Sequence, residues 1–349
     1  MKFNRSYPAV LAITSALLLG ACHQNKPDYA ANDPVYKDLD TTVKPGDDFF
    51  KYANGGWLKK NPIPAAYASW GIGNVVVEDI RNRLKKINED ALHANAAKGT
   101  NTQKIGDFYY SGMDTIAIEQ QGLSPLKDEL ARIDAVTDIK GLQDEFAHLA
   151  SIGVNTPIGD GVSQDEMNSD KMVLHLWQSG IGLPNRDYYF NTDEHSTAIR
   201  NDYRQKHLPV VFKLAGMSDA QADMATKRTY ALEKFLADSS RKLQDLRDPY
   251  KNYHKMPVAG LNKLAPAIDW KMLFQKMDYG KADSVIVGQP EYYRAVNAAL
   301  KNYSIADWKN YLKKNLVTAY SNYLSNDFND ESFRFYVEVI SVRKAQLPR

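Results

Sequence analysis

The chain has 349 residues, enough for two or three ordinary domains or one large helical one, and its 44% hydrophobic content supplies a substantial core. Lys and Arg number 44 against 42 Asp and Glu, so no basic excess marks the chain for nucleic acid. A single cysteine excludes both an internal disulfide framework and a cysteine-cluster metal site.

That cysteine closes the first element. Met1 to Arg5 carries two positive charges, Ala9 to Leu19 is an apolar run too short to span a bilayer, and Leu19-Gly20-Ala21-Cys22 follows at once. The pattern predicts a bacterial lipoprotein leader over 1–21, cut before Cys22, whose attached lipid chains then anchor the protein to a membrane of the cell envelope. Without Lys2 and Arg5 the two charge counts are equal at 42. Residues 22–42 read as a lipidated, flexible polar tether.

The body, 43–349, opens on Lys44 to Pro64, KPGDDFFKYANGGWLKKNPIP. Pro45-Gly46 is a turn, and Asp47 or Asp48 can cap a following helix. Phe49, Tyr52 and Ala53 share one face of that helix, Gly55-Gly56 offers a left-handed stop, and Asn61-Pro62-Ile63-Pro64 forces an extended exit.

As a string this stretch resembles the opening of the neprilysin and endothelin-converting-enzyme family of zinc metallopeptidases. Members run Pro, Cys, any residue, Asp-Phe, aromatic, any, Tyr, any, Cys-Gly, any, Trp-Leu. Pro45, Asp48, Phe49, Phe50, Tyr52, Gly55, Trp57 and Leu58 match, while Gly46 and Asn54 stand in the two cysteine places. The disulfide of the animal members is therefore lost, in keeping with a one-cysteine chain.

Beyond Pro64, the apolar spacing from Trp70 to Lys86 predicts a helix. The resemblance puts Ser69 and Trp70 on the substrate-cleft wall. Many members have an arginine there that grips the free carboxylate of a bound peptide, and Ser69 departs from that pattern. Helices are predicted over Gln103 to Met113, with Ile105, Phe108 and Tyr109 on one side, over Leu123 to Ile133, and over Ile139 to Ile152, where Phe146, Leu149 and Ala150 form the buried stripe. Pro157 to Ser163 and Met172 to Gln178 read as a β-hairpin with a long polar loop, in which Asp165, Glu166 and Asp170 are expected as a solvated charge cluster.

Gly182-Leu183-Pro184-Asn185-Arg186-Asp187-Tyr188-Tyr189 is the second family string. Asp187 can cap the next helix and Arg186 can grip a carboxylate or carbonyls, so structural work is expected of it. Ser218 with Gln221 is a capping box for a helix to about Ala237, with Met224, Arg228, Ala231, Leu232 and Phe235 at helical spacing. Arg247-Asp248-Pro249 with Tyr253 and Met256 is a third family pattern, and His254 within it reads as a packed or solvated histidine, not a ligand. Ile268-Asp269-Trp270 opens another helix. Pro290 fits the first turn of the next, and Ser304 caps the last, whose Trp308, Tyr311, Leu312, Leu316, Tyr320, Tyr323 and Leu324 form a broad buried face.

The predicted fold is thus mainly α: a large multi-helix N-terminal peptidase lobe with one small β-hairpin insertion. In family terms 43–75 joins the catalytic lobe and 76–328 builds the helical roof over the substrate cavity. The zinc motif, H-E-x-x-H, is missing: none of the seven histidines is followed by Glu, and no two are four apart. The resemblance implies the N-terminal portion of an endopeptidase for oligopeptides, inactive alone, and the leader with Cys22 makes it exported and lipid-anchored. One zinc is expected in the full-length enzyme, held by a C-terminal catalytic half present in cis or in trans. The alternatives are a non-catalytic helical surface lipoprotein that binds peptides or glycans, and a truncated product without an independent role.

Overall fold

In the computed structural model, residues 33–343 and 345–346 are described; the leader and Cys22 lie outside the described residues. The chain divides into two compact units, Met1–Asp79 and Ile80–Arg349.

In the first unit a short helix, Pro34–Asp38, starts where the Asp33 carboxylate accepts from the Val35 N–H at 2.9 Å. Composition assigns these residues to the tether, but the Asp40 N–H donates to the Tyr52 carbonyl at 2.8 Å and Lys60 Nζ to the Lys37 carbonyl at 3.0 Å. Residues 34–40 of the expected tether therefore carry helical structure and backbone hydrogen bonds. The second helix, Phe49–Lys60, is capped by Asp48 through the Lys51 N–H. It runs through Gly55-Gly56 and stops at Asn61, five residues later than the glycines suggest. These glycines serve close approach instead: a Cβ on Gly55 would sit 2.5 Å from Asp40 Cβ, and one on Gly56 2.9 Å from the Asp38 carbonyl carbon. Hydrogen bonds from Lys59 and Thr42 hold the Asp40 carboxyl at a pKa of about 2.

The second unit is helical around one dominant core, in which Trp270, Trp308, Tyr292, Tyr293 and Tyr311 are each at most 1% exposed. The Ser218/Gln221 and Ser304/Asp307 capping boxes form as expected and open helices Asp219–Asp238 and Ile305–Tyr320. The buried face of the first is Ala222, Ala225, Thr229, Leu232, Glu233 and Leu236, whereas Met224, Arg228 and Ala231 face solvent. In the second, Tyr323 falls past the helix end and is exposed. Among the described residues no helix is long and apolar enough to cross a membrane.

The predicted hairpin forms, with a tighter turn than expected. Strands β1 (Gly159–Asp165) and β2 (Asn168–Trp177) are antiparallel and separated only by Glu166-Met167, because most of the polar stretch joins the ladder, with a bulge at Gln164/Asp165. Two further strands complete the sheet: β3 (Lys255–Pro257) and β4 (Ser284–Val287), in the order β1-β2-β4-β3. β4 lies parallel to β2, pairing Leu174 with Val285, and antiparallel to β3. Helix Pro290–Asn302 fastens the sheet to the core: the Tyr292 hydroxyl donates to the Ser179 carbonyl at 2.5 Å, and the Tyr293 hydroxyl to the Trp177 carbonyl at 3.0 Å.

Candidate functional site

In the first unit, Ser69 is exposed and Trp70 half-buried. Tyr67 meets the Trp70 indole edge-on, centroids 4.7 Å apart at 65°, and donates its hydroxyl proton to Glu78. The Gly71 N–H donates to Asn74 Oδ1 at 3.0 Å, fixing the turn into helix Ile72–His93. Trp70 thus packs against Tyr67, and Ser69 offers a small hydroxyl beside it.

The second family string does structural work, through Tyr189 as well as the expected Arg186. Tyr189 places its hydroxyl where the Gly182 and Leu183 N–H groups both donate to it at 3.1 Å, and it donates to Glu233 Oε2 at 2.9 Å. Glu233 also takes the Tyr203 hydroxyl proton and pairs with Lys314 Nζ at 2.6 Å. Burial, followed by the nearby Glu233 charge, raises both tyrosine pKa values well above their ordinary value. Arg186 donates to the Ala237 carbonyl at 3.3 Å, but Asp187 caps nothing: Asp193 caps helix Glu194–Asp202.

Around the third string, His254 takes the packed one of its two readings: it is half-buried, with its Nδ1 3.0 Å from the Val287 carbonyl. Asp165 is not the solvated charge expected. It is 2% exposed, accepts from Tyr253 Oη at 2.9 Å, and pairs with Lys255 Nζ at 2.6 Å. The Lys255 hydrogen bond holds its carboxyl at a pKa of about 2.

A cluster that sequence reasoning passed over lies between helices Lys127–Ala135 and Ile139–Ser151. One ligand-type atom from each of Glu129, Glu145 and His148 falls within 4.8 Å of the others. His148 Nε2 and Glu129 Oε2 are 2.6 Å apart, and Arg132 donates to Glu145 Oε2 at 3.3 Å. Glu145 is 3% exposed and its pKa is raised by burial. Its Oε1 has no hydrogen-bond partner among the described residues. The signal available beforehand was Glu145-x-x-His148, two ligand types on one helical face.

The second unit also keeps apolar surface open. An open groove of about 950 Å³ is lined by Phe108, Ile118, Tyr323, Phe333 and Val337 among others. In the second unit's part of helix Ile72–His93, the side chains of Ile80, Leu84 and Ile87 are each at least 49% exposed.

A helical lobe with a small mixed sheet, carrying these three strings, defines one architecture. Residues 45–349 match the N-terminal region of peptidase family M13, and the chain belongs to that family. It is 29% identical to endothelin-converting enzyme 1 of Cavia porcellus over 327 residues, 90% of this chain and 43% of that protein. To neprilysin-3 of Drosophila melanogaster it is 31% identical over 261 residues, 70% of this chain and 32% of that protein. It is similar in structure to zinc metalloprotease Zmp1 of Mycobacterium tuberculosis, solved with an inhibitor, with a TM-score of 0.82 and 30% identity over 89% of this chain and 47% of Zmp1. PepO of Lactobacillus rhamnosis shares the fold, with a TM-score of 0.74 at 18% identity. The chain spans less than half the length of these relatives.

Proposed function

We propose that this chain is the N-terminal, cavity-forming portion of a zinc metalloendopeptidase that hydrolyses oligopeptides. The observation that carries the reading is the likeness to Zmp1, which spans 89% of this chain and 47% of that zinc metalloprotease. The residues present do not fit the family's catalytic zinc: no histidine has the neighbouring Glu or the i+4 partner that activates a metal-bound water. Catalytic ligands therefore come from sequence outside these residues, in cis or in trans. The exposed side chains of Ile80, Leu84 and Ile87, in the second unit's part of helix Ile72–His93, support a further portion covering them.

Within this reading Ser69 and Trp70 form part of the cleft wall. Trp70, held by Tyr67, gives a flat apolar surface for a substrate side chain, and Ser69 supplies a neutral hydrogen-bonding group. Cys22 is lipidated after leader removal, which places the enzyme on a membrane of the bacterial envelope, periplasmic or at the cell surface.

Two measurements test these claims. The purified chain, offered a quenched fluorescent peptide with added zinc, should give no hydrolysis; chelator-sensitive cleavage would sink the assignment of the catalytic groups. Metabolic labelling with a radioactive fatty acid should mark the wild-type protein and spare Cys22→Ser, and equal labelling would overturn the anchor.

A further inference from the structure

We infer that Glu129, Glu145 and His148 form a zinc-binding site that staples helix Lys127–Ala135 to helix Ile139–Ser151. This site is separate from the family's catalytic zinc and independent of the peptidase reading.

Three observations carry it. First, the donor set is an imidazole and two carboxylates, all within 4.8 Å, a combination that suits zinc and disfavours the all-oxygen sites of calcium or magnesium. Glu145 and His148 stand one turn apart on one helix, the Glu-x-x-His arrangement used by metal sites built between helices, and Glu129 comes from the facing helix. Second, Glu145 is buried with its Oε1 unpartnered, an orphaned acceptor whose desolvation a cation would offset. Third, Glu129 and His148 each keep 27% of the side chain exposed, so the ion has a path in from solvent.

The rearrangement required is small. Ligand atoms on a tetrahedral zinc with bonds near 2.0–2.1 Å lie about 3.3 Å apart. The pair His148 Nε2 and Glu129 Oε2 at 2.6 Å must open slightly, and the other pairs, none wider than 4.8 Å, must close by at most about 1.5 Å, within the reach of glutamate rotamers. Water fills the fourth position. Arg132 is the cation holding the site now, bonded to Glu145 Oε2 at 3.3 Å and 3.8 Å from Glu129 Oε2. At 45% exposed it can swing into solvent as the ion enters. It is thus a built-in competitor that keeps affinity moderate.

The test uses the tag-free chain, stripped with chelator and titrated with zinc chloride by calorimetry, with Co²⁺ as a second, spectroscopic probe. One zinc should bind per chain, and Co²⁺ should give the visible absorption of a four-coordinate N/O site. Glu145→Gln and His148→Ala should each weaken zinc by roughly tenfold or more, and Arg132→Gln should tighten it. Zinc should raise the melting temperature of the wild type and leave that of the two ligand variants unchanged. Melts in chelator check that the variants fold; if Glu145→Gln does not, Glu129→Gln gives the same reading from a more exposed position. No saturable binding, or equal affinity in the wild type and the ligand variants, overturns the site. Displacement of zinc by excess Mg²⁺ overturns its assignment as a zinc site.

Discussion

Lys314 Nζ lies 2.6 Å from Glu233 Oε1, with 2% and 0% of the two side chains exposed. The pair joins helix Ile305–Tyr320 to helix Asp219–Asp238, and the hydroxyls of Tyr189 and Tyr203 complete the shell of the carboxylate. Removing one member leaves the other charge buried, so Lys314→Met alone should cost about 3–5 kcal/mol of unfolding free energy. The double variant Lys314→Met, Glu233→Gln should recover a large part of that cost. Urea melts of the single and double variants check this; equal losses in both would show that the charge pairing does not matter.

Acid sensitivity should trace in part to Asp165. Its folded pKa of about 2 lies below the ordinary carboxylate value because Lys255 and Tyr253 donate to it. The stabilisation is therefore full above the unfolded value near 3.9 and is lost as the pH falls from there through about 2. Asp165→Asn should flatten the stability curve across that window, as followed by chemical denaturation at successive pH values. An unchanged slope would contradict the assignment.

Gly182 carries a steric constraint. A Cβ there would overlap the Tyr203 hydroxyl and sit 3.0 Å from Glu233 Oε1. Gly182→Ala should destabilise by about 1–3 kcal/mol. Gly112→Ala, a helical position with nothing within 4 Å, should stabilise by about 0.5–1 kcal/mol. Thermal melts compare the two, and a neutral Gly182→Ala would show that the tyrosine network yields freely.

The proposed cleft-wall position of Ser69 predicts that Ser69→Arg, in an enzyme completed by a catalytic portion, should add a grip on the free C-terminal carboxylate of peptide substrates. KM should fall roughly tenfold for such substrates and stay unchanged for their amidated counterparts. Equal effects on both would remove Ser69 from the cleft wall.

Helix starts were legible because their chemistry is local. Asp48, Ser218, Asp269 and Ser304 each accept from the backbone N–H three residues on, as their spacing announces. Features set by distant partners were not. Gly55-Gly56 reads as a stop until Asp38 and Asp40 are found against it, and the four residues of β4 carry too little pattern to declare a strand until β2 and β3 flank them. In helix Asp219–Asp238 the scattered apolar residues suggest a stripe through Met224, whereas burial follows the small residues Ala222, Ala225 and Thr229 that let neighbours approach. Of the carboxylate–imidazole cluster, Glu145 and His148 show their spacing in the sequence. Glu129 joins them only once two helices pack.

The parallel pairing of β2 with β4 also sets an order of folding. The β1–β2 hairpin closes from contacts a few residues apart, but Leu174 must wait for Val285, about 110 positions later in the chain. On an emerging polypeptide the hairpin is therefore complete while one of its edges stays unsatisfied through the synthesis of all the helices between. During that interval the bare edge of β2 is an unpaired strand edge open to other chains, and the arrival of Ser284–Val287 is the step that ends its exposure.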